Sequence, residues 1–337
     1  MEAVTTKDLA YFFFYLTTLI SSIFFLRLTT KWNNLMKELE IANLNEYIDQ
    51  NIERKCNFAV IALLGLAFVD HGLSLSLKWT YIVECVSNGT DVFKPFLFIN
   101  LYFISEQDVP FSTVVGIYFT VQNFIVTIIA SYVHLFIICI SLYLSSILKQ
   151  INKVILSKDG EYLPTSYWRK LREDYNNASR LVRRFDDVIN CITLISFASN
   201  LLFVCLQLSY LLANGIRGTC QSRYYYDNLL VSNNSSGSIY PYIYATFSVY
   251  SVMFLILRSL GLALIAARIH SESLVVVPVL YNVPSPTCGI EVQRFIQQIH
   301  GSTVALTGHN FFYVTKDLLL SVVGTIVTYE LVLLQFE

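Results

Sequence analysis

The sequence predicts an all-α bundle of membrane-spanning helices, and three observations carry that reading. The chain is 55% hydrophobic and only 14% charged, with a mean hydropathy of +0.54, which is more apolar surface than the core of one soluble domain can hold. The surplus is gathered into blocks of the length that crosses a bilayer, about 20 mainly apolar residues at a rise of about 1.5 Å each. Those blocks lack the alternation of polar and apolar residues that a barrel requires. Lipid offers no partner to an open backbone group, so each block must close its hydrogen bonds as a helix.

Six blocks qualify: Leu9 to Leu28, Asn57 to Leu77, Ser112 to Leu148, Val188 to Ala213, Tyr240 to Ile269, and Tyr313 to Phe336. The first is too long for a signal peptide and no small-residue cleavage site follows it. The loop after the first block holds Lys31, Lys37, Arg54 and Lys55. The loop after the third holds Lys149, Lys153, Lys158, Arg169, Lys170, Arg172, Arg180, Arg183 and Arg184. Positive charge marks the cytosolic side, so both loops belong there. The loops after the second and fourth blocks are poor in Lys and Arg and carry glycosylation sequons at Asn88, Asn233 and Asn234, which suits the outside. A further sequon at Asn177 lies in the most basic loop and is read as chance. Six spans with these assignments put both termini outside. An outside start so close to Leu9, with no leader to translocate it, is explained by a missing earlier helix.

Two cytosolic stretches have helical rather than linker character. Trp32 to Lys55 spaces Leu35, Leu39, Ala42 and Ile48 among charges, and Tyr167 to Asp187 does the same with Leu171, Tyr175, Leu181 and Phe185. Pro278, Pro284 and Pro286 separate the fifth block from the stretch Gln293 to Val304 and mark the one clear linker. No internal repeat is present. The whole chain, residues 1–337, reads as one transmembrane domain.

The outer halves of the helices are where a ligand is expected. They carry Asp70, His71 and Ser74 on the second block, Tyr118, Gln122 and Asn123 on the third, Gln207 and Tyr210 on the fourth, and Tyr244 and Tyr250 on the fifth. Aromatic faces with a few polar groups suit small organic molecules. Intramembrane Gln and Asn also tie helices together, and boundary Tyr residues form aromatic belts, so each residue taken alone has a structural reading and the set carries the pocket. Asp70 and His71 are adjacent and point about 100° apart on a helix, which excludes a catalytic pair and favours a buried hydrogen-bond network. His134 reads as a packed core residue, and Arg258 as one that snorkels to the cytosolic boundary or lies beyond it. Cys85 and Cys220 fall in outside loops, where a disulfide is permitted, while Cys139, Cys191 and Cys205 read as apolar packing. No metal-ligand spacing, nucleotide-binding loop or nucleophile–base constellation is present. The reading is therefore not an enzyme, with no catalytic residue, no metal and no cofactor, and the net charge of −1 gives no sign of nucleic acid as partner.

The last block holds the most specific signal. Thr328-Tyr329, five positions, then Gln335-Phe336 resembles the signature that ends the seventh helix of the insect gustatory receptors. Phe68 to Ser74, with Asp70-His71 at its centre, is similar to the acidic-histidine motif of that family's third helix, and Gly308 with Phe311-Phe312 resembles the stretch leading into its last. Two departures stand out: Glu330 occupies the first of the five usually apolar positions, and His309-Asn310 stand where the family has smaller, less polar spacing. The resemblance implies that the six blocks are the second to seventh helices of a ligand-gated, non-selective cation channel. It also implies a homo- or hetero-tetramer in the plasma membrane of sensory-neuron dendrites, joined by a cytosolic anchor domain built from the helical extensions, with its C-terminus outside. The implied ligand is a small-molecule tastant. The implied pore and gate residues are Thr328, Tyr329, Glu330, Gln335 and Phe336, and the surrounding partner is the lipid bilayer.

The residues themselves are compatible with this. A lone helix would expose Glu330 to lipid at a cost of several kcal/mol, whereas a pore or a neighbouring subunit solvates or pairs it. A hydrogen bond from Glu330 to a helix of its own subunit is the structural alternative. The rival functional readings are a heptahelical receptor coupled to G proteins, which needs a cytosolic C-terminus, and a truncated receptor isoform without function. Enzymatic deglycosylation of the expressed chain is expected to shift its apparent mass through Asn88 and through Asn233 or Asn234; loss of the shift on removing Asn177 alone would reverse the assigned topology.

Overall fold

The computed structural model describes residues 6–86, 96–97, 113–158, 161, 163–216, 218, 239–283 and 289–333. The helices of the described residues are α1 (Thr6–Ala42), α2 (Ile52–Tyr81), α3 (Thr113–Leu156), α4 (Thr165–Asn214), α5 (Tyr240–Leu274), α6 (Val277–Tyr281), α7 (Ile290–His300) and α8 (Lys316–Leu333). Among the described residues there is no strand, only an isolated bridge between Thr307 and Tyr313. Helices α1 to α5 are each long and apolar enough to cross a membrane, the last continuing through α6. Over its described part, the 18 residues Lys316–Leu333, α8 is also mainly apolar but carries three charged residues, Lys316, Asp317 and Glu330. The chain is a multi-pass membrane protein.

The helices outrun the apolar blocks. At a rise of about 1.5 Å per residue, the 50 residues of α4 reach far beyond a hydrocarbon core of about 30 Å, so a large part of the helix stands clear of it. That part is the expected amphipathic stretch, joined to the span without a break. Its buried residues are Trp168, Leu171, Tyr175, Ala178, Leu181, Val182 and Phe185, which keep the three-and-four spacing of a single helical face. The other expected extension, Trp32 to Lys55, is not one helix. Asn43 takes φ 49, a left-handed conformation that Asn tolerates better than most residues, a 3₁₀ turn follows at Asn45–Tyr47, and α2 begins only at Ile52. Pro278, expected in a linker, sits in the first turn of α6, where a missing N–H leaves no helical bond unmade.

Packing is tightest at this end of the bundle. Trp168, Tyr175 and Phe295 are almost fully buried there, with Ile147, Leu148, Ile151 and Ile155 of α3 and Ala266 and Ile269 of α5. Polar groups lock the same layer: Tyr175 Oη donates to Ser273 O (2.8 Å), Asn152 Nδ2 to Glu272 O (2.7 Å), and Tyr47 Oη to Asp174 Oδ2 (2.8 Å). Within the bundle α1 lies on α4, and α2 and α3 both lie on α5. At the opposite end Glu84, in a π turn that continues α2, accepts the backbone N–H groups of Ile239 (3.1 Å) and Tyr240 (2.9 Å). A carboxylate at that position satisfies open donors at the start of α5 and complements its dipole.

Helix α7 is tied to α4 by a buried carboxylate. Glu291 accepts from Arg172 Nε (3.0 Å) and from Arg294 Nη1 (2.9 Å). Burial by itself would raise the Glu291 carboxyl, but the hydrogen bonds and charges of Arg172 and Arg294 outweigh it and hold the group below its ordinary value of 4.5. A depressed folded-state value contributes stability that is complete above the unfolded value and is lost as pH falls through the folded one. E291Q is therefore expected to lower the unfolding midpoint of the solubilised protein at neutral pH, and the gap to the unmodified chain should close as pH falls below 4.5. A gap that persists unchanged in acid would show that the carboxylate charge is not what ties α7 down.

Candidate ligand cavity

At the end of the bundle away from the tight layer, α1 to α5 part around a cavity of about 420 Å³. Its walls are stripes read at helical spacing. On α4 they are Ser196, Ser199, Phe203, Gln207 and Tyr210; on α5, Tyr244, Phe247, Ser251, Phe254 and Arg258; on α2, Asp70, His71, Ser74 and Lys78. Helix α3 contributes Asn123, Thr127, Ser131 and His134, and α1 contributes Tyr11, Phe14, Thr17, Thr18 and Ser21. Steps of three and four put polar residues on one side of helices that are otherwise apolar, so turning that side inward keeps it away from lipid.

Five small hydroxyls of this lining share one habit. Thr17 Oγ1 donates to Phe13 O (2.8 Å), Thr18 Oγ1 to Phe14 O (2.8 Å), Ser21 Oγ to Thr17 O (2.7 Å), Thr127 Oγ1 to Asn123 O (2.9 Å) and Ser131 Oγ to Thr127 O (3.0 Å). Each proton is committed to the carbonyl one turn back, which leaves the oxygen lone pairs for the cavity. The wall is therefore rich in acceptors and suits a molecule that brings O–H or N–H donors.

Charge is concentrated between α2 and α5. Asp70 faces Ser251 and lies within range of the Arg258 charge. Among the described residues, Asp70 Oδ1 and Arg258 Nε have no hydrogen-bond partner. The Arg258 guanidinium stands 5.5 Å from the centre of the Phe254 ring. Arg258 therefore lines the cavity and does not snorkel to a boundary as the sequence reading had it. Deeper, His134 is buried, with Nδ1 2.7 Å from Ala130 O and Nε2 2.9 Å from the Asn200 side-chain amide. Both ring nitrogens face oxygen acceptors, Nδ1 the carbonyl of Ala130 and Nε2 the Oδ1 of Asn200, and the second contact joins α3 to α4. The Tyr244 hydroxyl reaches Tyr210 (3.4 Å) and links α5 to α4 at the other side of the cavity. A Cβ on Gly218 would stand 2.7 Å from the Tyr244 ring, so the glycine lets the chain pass close over that tyrosine.

Comparison with known proteins identifies the family. The sequence model described as Trehalose receptor matches residues 1–231 and 226–337, which together span the chain. The chain belongs to the insect gustatory receptor family. It is 32% identical over 329 residues to the Drosophila melanogaster gustatory receptor for sugar taste 64f, covering 95% of this chain and 64% of that protein. Gustatory receptor for sugar taste 64a of the same organism is 31% identical over 345 residues (99% and 70% covered), and its gustatory receptor 5a for trehalose is 29% identical over 330 residues (96% and 68% covered). The chain thus spans about two thirds of the length of these relatives. Its fold matches that of the insect olfactory receptor OR5 from Machilis hrabei with a TM-score of 0.64 at 16% identity, over 100% of this chain and 82% of that one.

In this gustatory-receptor chain, Asp70, His71, Ser74, Gln207 and Tyr210 all line the cavity, as do Asn123 and Tyr244. Three residues singled out with them lie elsewhere. Tyr118 is 61% exposed near the start of α3, and Gln122 stands about 100° around the helix from Asn123, off the lining. Tyr250 donates to Leu66 O (2.9 Å) and stacks on Phe254, which braces α2 against α5 from outside the cavity. Sequence reading missed the α1 stripe, Lys78 and the serines of α4 and α5. Their signal was the three-and-four spacing, legible once α4 is taken as continuous.

On α8, Thr328 Oγ1 donates to Gly324 O (2.9 Å), and both Thr328 and Tyr329 are exposed. Glu330 is in the helix, and Gln335 and Phe336 lie outside the described residues. So do Asn88, Asn233, Asn234 and Cys220, whereas Cys85 is buried and disulfide-bonded. Asn177, on the projecting part of α4, accepts from Arg180 (3.2 Å). Among the described residues, no group of three or more His, Cys, Asp and Glu is arranged to hold a metal.

Proposed function

We propose that the chain is a subunit of a taste receptor in the plasma membrane of sensory neurons, a cation channel opened by a sugar bound in the cavity between α1 and α5. The observation that carries this reading is the lining: acceptor-presenting hydroxyls, an Asp–Arg pair and aromatic rings around about 420 Å³. A sugar brings many O–H donors and apolar C–H faces, which are the complements of those three features. Cavities of roughly 300–1,000 Å³ hold small organic ligands. Two of the relatives compared are named for sugar taste and a third for trehalose, which supports the same class of ligand.

The channel half of the proposal draws on α8. Leu320, 70% exposed, lies with Val323, Val327, Tyr329 and Val332 on a helix that is largely uncovered by its own chain. Four subunits, identical or mixed, would cover such surface and bring their C-terminal helices around a pore. Gln335 and Phe336 would then meet at its outer mouth, where a ring of apolar side chains excludes ions by dewetting. Glu330, deeper along the helix, would favour cations.

Both halves are read by patch clamp or calcium imaging in a cell line, with surface expression checked. Q207L removes one neutral hydrogen-bonding group from the cavity and is expected to raise the half-effective sugar concentration roughly three- to tenfold, the equivalent of about 0.5–1.5 kcal/mol. Unchanged sensitivity in Q207L and likewise in S74A and Y210F would rule the cavity out as the sugar site. F336A is expected to raise current without ligand, and E330Q to lower conductance or cation preference while leaving the half-effective concentration alone. Normal basal current and normal response in F336A would make the C-terminal motif a packing device.

A further inference from the structure

A second site lies at the base of α8, away from the cavity. Residues 304–314 fold back on themselves there: Val314 N–H donates to Leu306 O (2.8 Å) and Gly308 N–H to Phe312 O (3.0 Å). The Asp186 carboxylate holds this turn to α4, taking the Thr307 N–H at 2.6 Å and the Thr307 hydroxyl at 2.7 Å. His309, at φ 49, stands at the tip, and its backbone N–H donates to Asn190 O (3.2 Å). That contact delivers the imidazole to the next residue of α4. Cys191 Sγ lies 3.3 Å from His309 Nδ1. Cys191 is a free thiol and half-buried, His309 is exposed, and Asp187, one turn earlier on α4, is exposed too. The pair is therefore open at the margin of the apolar stretch and not enclosed in the bundle.

A nucleophile within hydrogen-bond reach of a base that is held by its own backbone contact has the geometry of an activated thiol. We infer that Cys191 is a modification site for soft carbon electrophiles such as α,β-unsaturated carbonyls, with His309 as its base, and that the adduct resets the turn leading into α8. In the reaction the Cys191 S–H donates to Nδ1, and sulfur attacks the β-carbon. A C–S bond forms as the C=C π bond breaks, the thiol proton passes to the imidazole, and the imidazolium returns a proton to the α-carbon. His309 ends neutral, and no oxidant or further reactant is consumed. The adduct occupies the space between Sγ and the ring, so the S–H···N contact is lost and the His309 tip is pushed away from α4. Val314 and Thr315 connect that tip to α8 at Lys316, which puts the start of α8 under the influence of the thiol.

The site is separate from the cavity, and its chemistry is independent of any ligand there; only its effect on current rests on the channel reading. The test uses the full chain in detergent with N-ethylmaleimide as the electrophile, following adducts at each cysteine by peptide mass spectrometry. Cys191 is expected to be alkylated in the unmodified chain. H309N, which keeps a residue tolerant of the left-handed turn, and H309Q are each expected to slow the Cys191 reaction about tenfold or more while Cys56 reacts as before. Whichever variant keeps the original unfolding midpoint decides the matter. An unreactive Cys191, or a rate in that variant equal to the original, overturns the assignment. In expressing cells the reagent should change sugar-evoked current in the unmodified chain and not in C191S. Unchanged current despite complete Cys191 adduct overturns the coupling to α8. A chain that passes no sugar-evoked current in any form would defeat the channel reading and leave the labelling result standing.

Discussion

Burial of one stripe on α4, from Trp168 to Ile192, is the interaction on which the rest of the bundle hangs. It is continuous: Leu171, Tyr175, Ala178, Val182, Phe185 and Ile189 follow one another at three- and four-residue steps and are all nearly inaccessible. Against it lie α3, α5, α7 and the turn at residues 304–314, so five otherwise separate pieces share one surface. Fully burying side chains of this size is worth about 1.5–3 kcal/mol each, against about 0.5–1.5 kcal/mol net for a neutral hydrogen bond, and the stripe has many such side chains. The polar contacts do a different task. Tyr175 with Ser273, Asn152 with Glu272 and Glu291 with Arg172 each fit one partner in one register, and so select one arrangement of the helices from the many that would bury similar area.

The opposite end of the bundle is built on the reverse principle. There the lining is rich in serine, threonine and aromatic residues, whose small or flat surfaces do not interdigitate as isoleucine and leucine do. A cavity is the result of that composition. Back-bonding of Thr17, Thr18, Ser21, Thr127 and Ser131 to their own helices lets the hydroxyls stay in an apolar setting without partners on neighbouring helices. Links between helices across this half include Tyr210 with Tyr244 and His134 with Asn200. A rigid base with a loosely cross-linked upper half has one part that can change shape and another that stays fixed.

Much of the fold was legible in the sequence because its cause is local. A run of apolar residues in lipid has to be helix, so the existence of the spans followed from composition, and the α4 extension followed from its amphipathic spacing. What stayed hidden were junctions set by tertiary fit. The break at Asn43 interrupts a stretch whose hydrophobic pattern runs on without pause, because Leu44 and Tyr47 are buried by turning the chain, not by continuing it. For the cavity, the pattern of Asp70, Ser74, Gln207 and Tyr210 was visible as polar residues on apolar helices. Tyr118 and Tyr250 have the same character in the sequence, and only helix rotation, fixed by packing at the base, sends one to the surface and the other to a neighbouring backbone.

Arg258 shows most clearly why rotation and register matter. Read by composition, a lone arginine late in an apolar helix belongs at the membrane boundary, where its head can reach water. Here the helix continues to Leu274 and then into α6, so Arg258 is left well inside, with Asp70 on α2 and the Phe254 ring as its surroundings. Two opposite charges in such a setting cost free energy to desolvate, and their attraction returns it only with good geometry and satisfied hydrogen bonds. Among the described residues, Asp70 Oδ1 and Arg258 Nε each lack a partner. A sequence under pressure for stability alone would do as well with two apolar residues of similar volume. Keeping an incompletely satisfied pair on the wall of a cavity makes sense where something else completes it, and a molecule that both donates and accepts hydrogen bonds is the chemical class that does so.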